Sequence, residues 1–375
     1  MNLVLMFFCV GVLLSPFYIF PSGLPQPSHF SLLLFCFTFF VFYIKLGSFK
    51  SNDLINGVVK YLLFFCLYIL MVNVVYSLIW NEFSFLLDSV FYIFNFLIYT
   101  FVLMYFYWFG SRKYLLIVSF SILLIMFFLA ALDIGRFDFG SRYNGFHNDP
   151  NQLAYWVVCI LVIIAFSSKS FFINLISVAI GVYIVYETQS RSGLLGVLLI
   201  LCGLLFQFKD VLFSGSVISK TVIVLLCVSI ALIFTTLNFG VNSTTIREQS
   251  QYEDRLEGIN VEYQAKKRGY YRPLEYPEYL IFGSGKGLEN RFGSTVEIHS
   301  SWVAILFYYG FIGFLLFSVF VYKVFSLCNH YERFYLFAPF FFGISTYGLR
   351  TPIFWICLAI ATALVFIRIT EKGKV

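Results

Sequence analysis

The chain has 375 residues, 60% of them hydrophobic and only 12% charged, with a mean hydropathy of +0.87. A soluble domain of this length needs far more charge to stay in solution, so that class is excluded. The formal net charge of +6 is modest and calls for no nucleic-acid partner.

Apolar stretches of about 17–25 residues recur from end to end, the length a helix needs to cross a hydrocarbon core. Inside lipid every backbone N–H and C=O must be satisfied within its own segment, so these stretches are expected to be helices. Barrel strands would be shorter and would alternate polar with apolar residues. In chain order about twelve spans are expected, near residues 3–20, 30–46, 58–80, 84–109, 114–132, 152–168, 171–187, 193–208, 218–238, 301–324, 333–348 and 352–368. The plan is therefore an all-α polytopic membrane protein in three parts. Residues 1–238 carry spans one to nine, 239–300 form one long polar loop, and 301–375 carry spans ten to twelve. The first segment has no basic leader and no small-residue cleavage site, so it is read as a retained helix. All eight cysteines fall in or beside apolar runs, which fits buried thiols better than a disulfide framework.

Orientation follows from Lys and Arg, which concentrate in the cytoplasmic loops. With the N-terminus inside, thirteen of them fall on the inner side and only Arg136, Arg142, Arg191 and Arg350 in the short outer loops. Both termini are then cytoplasmic and the long loop is outside. That side lacks the ATP and nucleotide sugars of the cytoplasm, so chemistry there needs substrates that carry their own activation.

The outer segments, taken in order, hold the candidate site residues. The first, Phe20 through His29, has three prolines and a glycine and reads as a rigid corner. In the third, Arg142 through Ala154, Asn148, Asp149 or Asn151 can cap the next helix. Capping does not require Arg142, whose place at a membrane edge suits an anion. In Glu187-Thr188-Gln189-Ser190-Arg191-Ser192-Gly193, Arg191 opens a helix whose free N–H groups can meet phosphate oxygens. The competing reading is an ion pair to Glu187, four residues back. The long loop begins with an amphipathic pattern, Tyr252, Leu256, Ile259 and Tyr263, expected to lie as a lid on the membrane surface. Lys266-Lys267-Arg268, then Tyr270, Tyr271 and Arg272, interleave charge with aromatic faces. That suits a sugar phosphate and equally suits anionic membrane lipids.

Gly283-Ser284-Gly285-Lys286-Gly287 fails the phosphate-loop spacing, since Leu280 stands where the first glycine belongs, and is read as a flexible turn. The sharpest feature is Glu297-Ile298-His299-Ser300-Ser301-Trp302, at the mouth of the tenth span. Burial and a neighbouring carboxylate move a histidine pKa in opposite directions, and a balance near neutrality suits a general base. His29, His147 and His299 lie on separate loops without ligand spacing, so no metal site is expected. Arg350-Thr351-Pro352 opens the last span and adds a fourth outer arginine at a helix end.

These segments resemble the O-antigen polymerase and ligase superfamily of integral membrane glycosyltransferases. The resemblance rests on Ser22 through Gln26, Arg142 through Ala154, Ser190 through Gly193, Phe282 through Gly285, Glu297 through Trp302 with Tyr309 through Phe314, and Arg350 through Trp355. It implies a GT-C-like helical fold and undecaprenyl-pyrophosphate-linked oligosaccharide substrates, with metal-independent, inverting transfer at the periplasmic face and no cofactor. It also implies roles: His299 with Glu297 for catalysis, and Arg142, Arg191, Arg268, Arg272, Arg350 and Tyr270 for the pyrophosphate and glycan. A polymerase that extends lipid-linked repeat units is the first expectation, with a chain-length regulator as a candidate partner. A ligase that moves finished chains to lipid A-core is the second. A transporter or flippase is a third, set back because charges cluster at span ends on the outer face instead of at the midplane.

Overall fold

A computed structural model describes residues 2–21, 23–45, 53–212, 265–266, 268–293 and 297–372. Among these the chain is all-helical, with eleven helices of 13 residues or more and two isolated bridges near residues 136–145 in place of any strand. They are α1 (Asn2–Leu14), α2 (Pro27–Lys45), α3 (Asp53–Trp80), α4 (Ser84–Phe109), α5 (Arg112–Ala131), α6 (Pro150–Ser167), α7 (Phe171–Glu187), α8 (Arg191–Gln207), α9 (Ser301–Ser326), α10 (His330–Phe342) and α11 (Pro352–Lys372). Seven of them, α2 to α6, α9 and α11, are long and apolar enough to cross a membrane, and α1, α7 and α8 are apolar but shorter. This is the architecture of a polytopic membrane protein. The span expected at 218–238 and the amphipathic helix expected at 252–263 lie outside the described residues.

Two helices stop earlier than hydropathy suggests. α1 ends at Leu14, not near residue 20, because Pro16 cannot continue the ladder, and Ser15 turns its hydroxyl onto the Val12 carbonyl at 2.7 Å. α10 ends at Phe342, not near 348. There the carbonyls of Gly343 and Thr346 turn aside to accept the backbone N–H of Ser301, at 2.8 and 3.1 Å.

The core of the bundle is α6 and α11, which pack on each other. α6 also meets α5, α7, α8 and α10, and α11 also meets α4. Around them α1 pairs with α2, α3 with α4 and α9, and α8 with α10.

The helix α9 is broken at Gly310, whose φ of 63° and ψ of −173° belong to a region essentially reserved for glycine. Into the break goes the loop at 279–287. Phe311 N–H donates to the Leu280 carbonyl at 2.7 Å, and the Phe307 carbonyl accepts from Ser284 N–H at 3.0 Å. In an unbroken helix those two groups would have bonded each other. Gly285 N–H adds a bond to the Tyr308 carbonyl at 2.8 Å. Irregular backbone at such a position survives because protein groups satisfy it. Tyr68 and Tyr76 of α3 then hold the loop from outside, donating to the carbonyls of Phe282 and Gly283 at 2.9 and 3.0 Å.

Six helices, α2, α4, α6, α8, α9 and α11, begin at one end of the bundle. The connecting loops there are stitched together: Tyr18 N–H donates to Phe146 O at 3.3 Å, Tyr143 N–H to Glu187 O at 3.0 Å, and the Ser345 hydroxyl to Ser192 Oγ at 2.7 Å. It is the end that the Lys/Arg bias assigns to the outside.

Candidate functional site

Three helices open at this end with side-chain caps. Asp149 accepts from Asn151 N–H at 2.7 Å, Ser190 from Gly193 N–H at 3.3 Å, and Ser300 from Val303 N–H at 3.3 Å. Each cap satisfies one orphan donor of its helix and leaves others at this end, which carries the partial positive charge of each helix start.

Between the helix starts run the predicted side chains. Arg350, in the turn before α11, grips Glu297 with two parallel bonds, at 3.2 and 2.7 Å, and its guanidinium lies 4.9 Å from the Tyr347 ring. His299 follows two residues on, and its backbone N–H donates to the Arg268 carbonyl at 3.1 Å. Arg268 reaches the Ser345 carbonyl at 3.2 Å, and the Tyr270 hydroxyl donates to the Ile344 carbonyl at 2.9 Å. Both bonds pin the end of the long loop against the turn after α10. Arg142 spans the neighbouring gap, donating to the Thr188 carbonyl at 3.0 Å and to Asn151 Oδ1 at 3.2 Å. Arg191 is exposed at the first position of α8, and among the described residues it makes no ion pair with Glu187. One set of contacts ties Arg142 to Thr188 and Asn151, and a second runs from Ser192 through Ser345 to Arg268 and His299. Glu297 and Arg350 adjoin them.

Arg272 stands apart from this set. It is buried, ion-paired with Glu289, hydrogen-bonded to Tyr308 and 5.4 Å from the centre of the Phe292 ring. Its guanidinium holds the loop interior together, which corrects the expectation that it faces a substrate. The glycine loop is corrected as well. It is no flexible turn: Gly283, Ser284, Gly285 and Lys286 are all buried in the break of α9.

Two buried charged side chains beside Glu297 were missed by sequence reasoning. Lys286 is buried and ion-paired with Asp88 of α4 at 2.8 Å, and lies 3.9 Å from Glu297. Asp88 also accepts the Tyr309 hydroxyl. A signal did exist, because an acid one turn inside an apolar span demands a partner. Nothing in the spacing identified Lys286, 198 residues away, as that partner.

The electrostatics separate the two catalytic candidates. For Glu297, burial works to raise the carboxyl pKa, but Lys286 and Arg350 outweigh it, so the group lies below the ordinary carboxylate range. The surface of His299 is open, yet its surroundings are dense. Loss of hydration and then Arg268 lower its pKa against the opposing pull of Glu297 and Asp149. At neutral pH the site therefore offers a neutral imidazole with a lone pair, beside a carboxylate already engaged by two cations.

A recess adjoins the Arg350 turn, lined by Tyr18, His29, His147, Gln152, Trp156 and Thr351. It brings together two of the histidines that sequence places on separate loops. His29 Nδ1 accepts from Gln26 N–H at 3.2 Å. Among the described residues no cluster of three His, Cys, Asp or Glu has metal-site geometry.

No protein-family model matches the chain, and no curated protein matches it.

Proposed function

We propose that the chain is a membrane glycosyltransferase of the O-antigen polymerase kind. It would transfer a growing glycan from undecaprenyl-pyrophosphate to a lipid-linked repeat unit at the periplasmic face of a bacterial inner membrane. The observation that carries this reading is His299, exposed at the mouth of α9 with Arg268 and Arg350 as its cationic neighbours, at the end of the bundle where six helices begin and where Arg142 and Arg191 also lie. Such an end attracts a doubly charged leaving group, and a lone imidazole matches the one proton that must be removed. In the proposed step the acceptor hydroxyl attacks the anomeric carbon as His299 takes its proton. The bond from that carbon to the pyrophosphate oxygen breaks with inversion, and the arginines stabilise the departing charge. The GT-C-like class and the twelve-span count belong to this proposal.

The test uses purified full-length protein in lipid nanodiscs with synthetic lipid-linked repeat units, read as a ladder on a gel. The wild-type protein is expected to extend them without added nucleotide. Arg142→Lys and Arg191→Lys are expected to shorten the ladder, since an ammonium lacks the planar two-pronged contact. A wild-type protein that makes no ladder from any repeat unit, yet moves the intact lipid between leaflets, overturns the transferase reading in favour of a flippase.

A further inference from the structure

We propose that Lys286, seated on Asp88, is a positioning residue that keeps Glu297 a carboxylate locked onto Arg350. The side chains of Lys286 and Asp88 are nearly sealed, at 7% and 4% exposure, whereas Glu297 and Arg350 keep 40% and 33%. The four form an alternating series of carboxylate, ammonium, carboxylate and guanidinium that runs from inside α4 to the open face. A buried ammonium and carboxylate are tolerated as a pair and costly singly. A pair with a purely structural job is complete with two members, and this one has a third within reach.

The lysine is held so that it serves both acids. Its backbone N–H donates to Asn73 Oδ1 at 3.2 Å, and its Nζ lies 4.9 Å from the centre of the Tyr347 ring. One oxygen of Asp88 takes Lys286 and the other takes the Tyr309 hydroxyl. The charge of Lys286 that Asp88 does not neutralise falls on Glu297, 3.9 Å away. Glu297 is thus faced by Lys286 from the inserted loop, by Arg350 from the turn before α11 and by His299 from its own segment. Asp88 of α4 and the phenols of Tyr92, Tyr309 and Tyr347 lie behind. A charged Glu297 keeps the guanidinium of Arg350 aimed at the open face and leaves proton removal to His299. As a statement about catalysis this rests on the glycan-transfer reading, whereas the electrostatic link stands on the geometry alone.

The experiment needs no turnover. Full-length protein in nanodiscs is treated with a carbodiimide, which attacks the protonated carboxyl, and modification of Glu297 is followed by peptide mass spectrometry against pH. Two variants should move the midpoint in opposite directions. Asp88→Asn leaves Lys286 wholly to Glu297 and lowers it, while Asp88→Asn with Lys286→Met removes both buried charges together and raises it. Lys286→Met alone strands Asp88 in the bundle, so it is not the decisive variant. Helical circular dichroism checks that each variant folds. If a folded Asp88→Asn or a folded double variant labels Glu297 at the wild-type midpoint, the assignment is overturned. If the midpoints shift as expected but the wild-type protein extends no lipid-linked glycan, the positioning stands and the glycan-transfer reading fails.

Discussion

His299 and Glu297 stand two residues apart in different electrostatic surroundings. The imidazole is pushed toward its neutral form by lost hydration and by Arg268, and the carboxylate is kept charged by Lys286 and Arg350. A base must carry its lone pair when the acceptor hydroxyl attacks, so the two are not interchangeable. His299→Ala is expected to lower chain extension by roughly 10²–10⁴-fold while leaving donor-lipid binding intact. The sign of the pH dependence follows from the same shift. A lowered histidine pKa means that the base form persists further into acid, so activity should fall as pH drops through a value below the ordinary ~6.5. Rate and binding measured against pH for His299→Ala and Glu297→Gln check both statements. Near-full extension by the first with none by the second would reverse the roles. Both residues were legible in sequence because they sit together at the mouth of a span. Arg272 was misjudged because composition cannot tell a basic residue facing substrate from one paired with Glu289 inside a loop.

At the scale of elements, the joint between α9 and the loop at 279–287 positions the site. It fixes Lys286 under Glu297, and it requires two glycines back to back. A Cβ on Gly310 would lie 2.3 Å from the Ile281 carbonyl oxygen and 2.5 Å from Gly283 N, both backbone atoms that cannot swing away. The backbone conformation of Gly310 adds a strain of about 1–3 kcal/mol for any other residue. Gly310→Ala is therefore expected to expel the loop and lower the melting temperature. Protease cleavage between Tyr279 and Gly287 should become fast, whereas Gly57→Ala in α3, with open space at its Cβ, should leave both unchanged. A Gly310→Ala protein as stable and protease-resistant as wild type would mean that the break is not needed. Hydropathy reads α9 as one uninterrupted span, and Gly283 through Gly287 as an ordinary glycine-rich turn. Neither segment reveals the joint alone, because each supplies the hydrogen-bond partners that the other lacks.

At the scale of the whole molecule, alternation of the helices brings six N-termini and the predicted arginines to one end. The Lys/Arg bias predicts that this end is the outer one. A cysteine placed at Glu278, exposed at this end, is expected to react with an impermeant maleimide in cells whose outer membrane alone is opened. One placed at Lys113, exposed at the opposite end, should react only after the inner membrane is breached. The reverse pattern would put the site in the cytoplasm and end the periplasmic reading.

What the sequence by itself determined is what depends on local composition. It marked the apolar stretches that had to be helices, the caps that start them, the end at which their loops collect and the histidine at a span mouth. It could not rank the helices. α2 and α6 share a mean hydropathy of 1.7, yet 39% of one window and 83% of the other are buried. Lipid and protein interior are equally apolar, so hydropathy cannot tell a helix that faces acyl chains from one at the centre of the bundle. The same limit hid the pairing of Asp88 with Lys286 and of Gly310 with Gly283. A buried charge or a broken helix shows in sequence only as a demand for a partner, and tertiary structure alone decides which distant residue meets it.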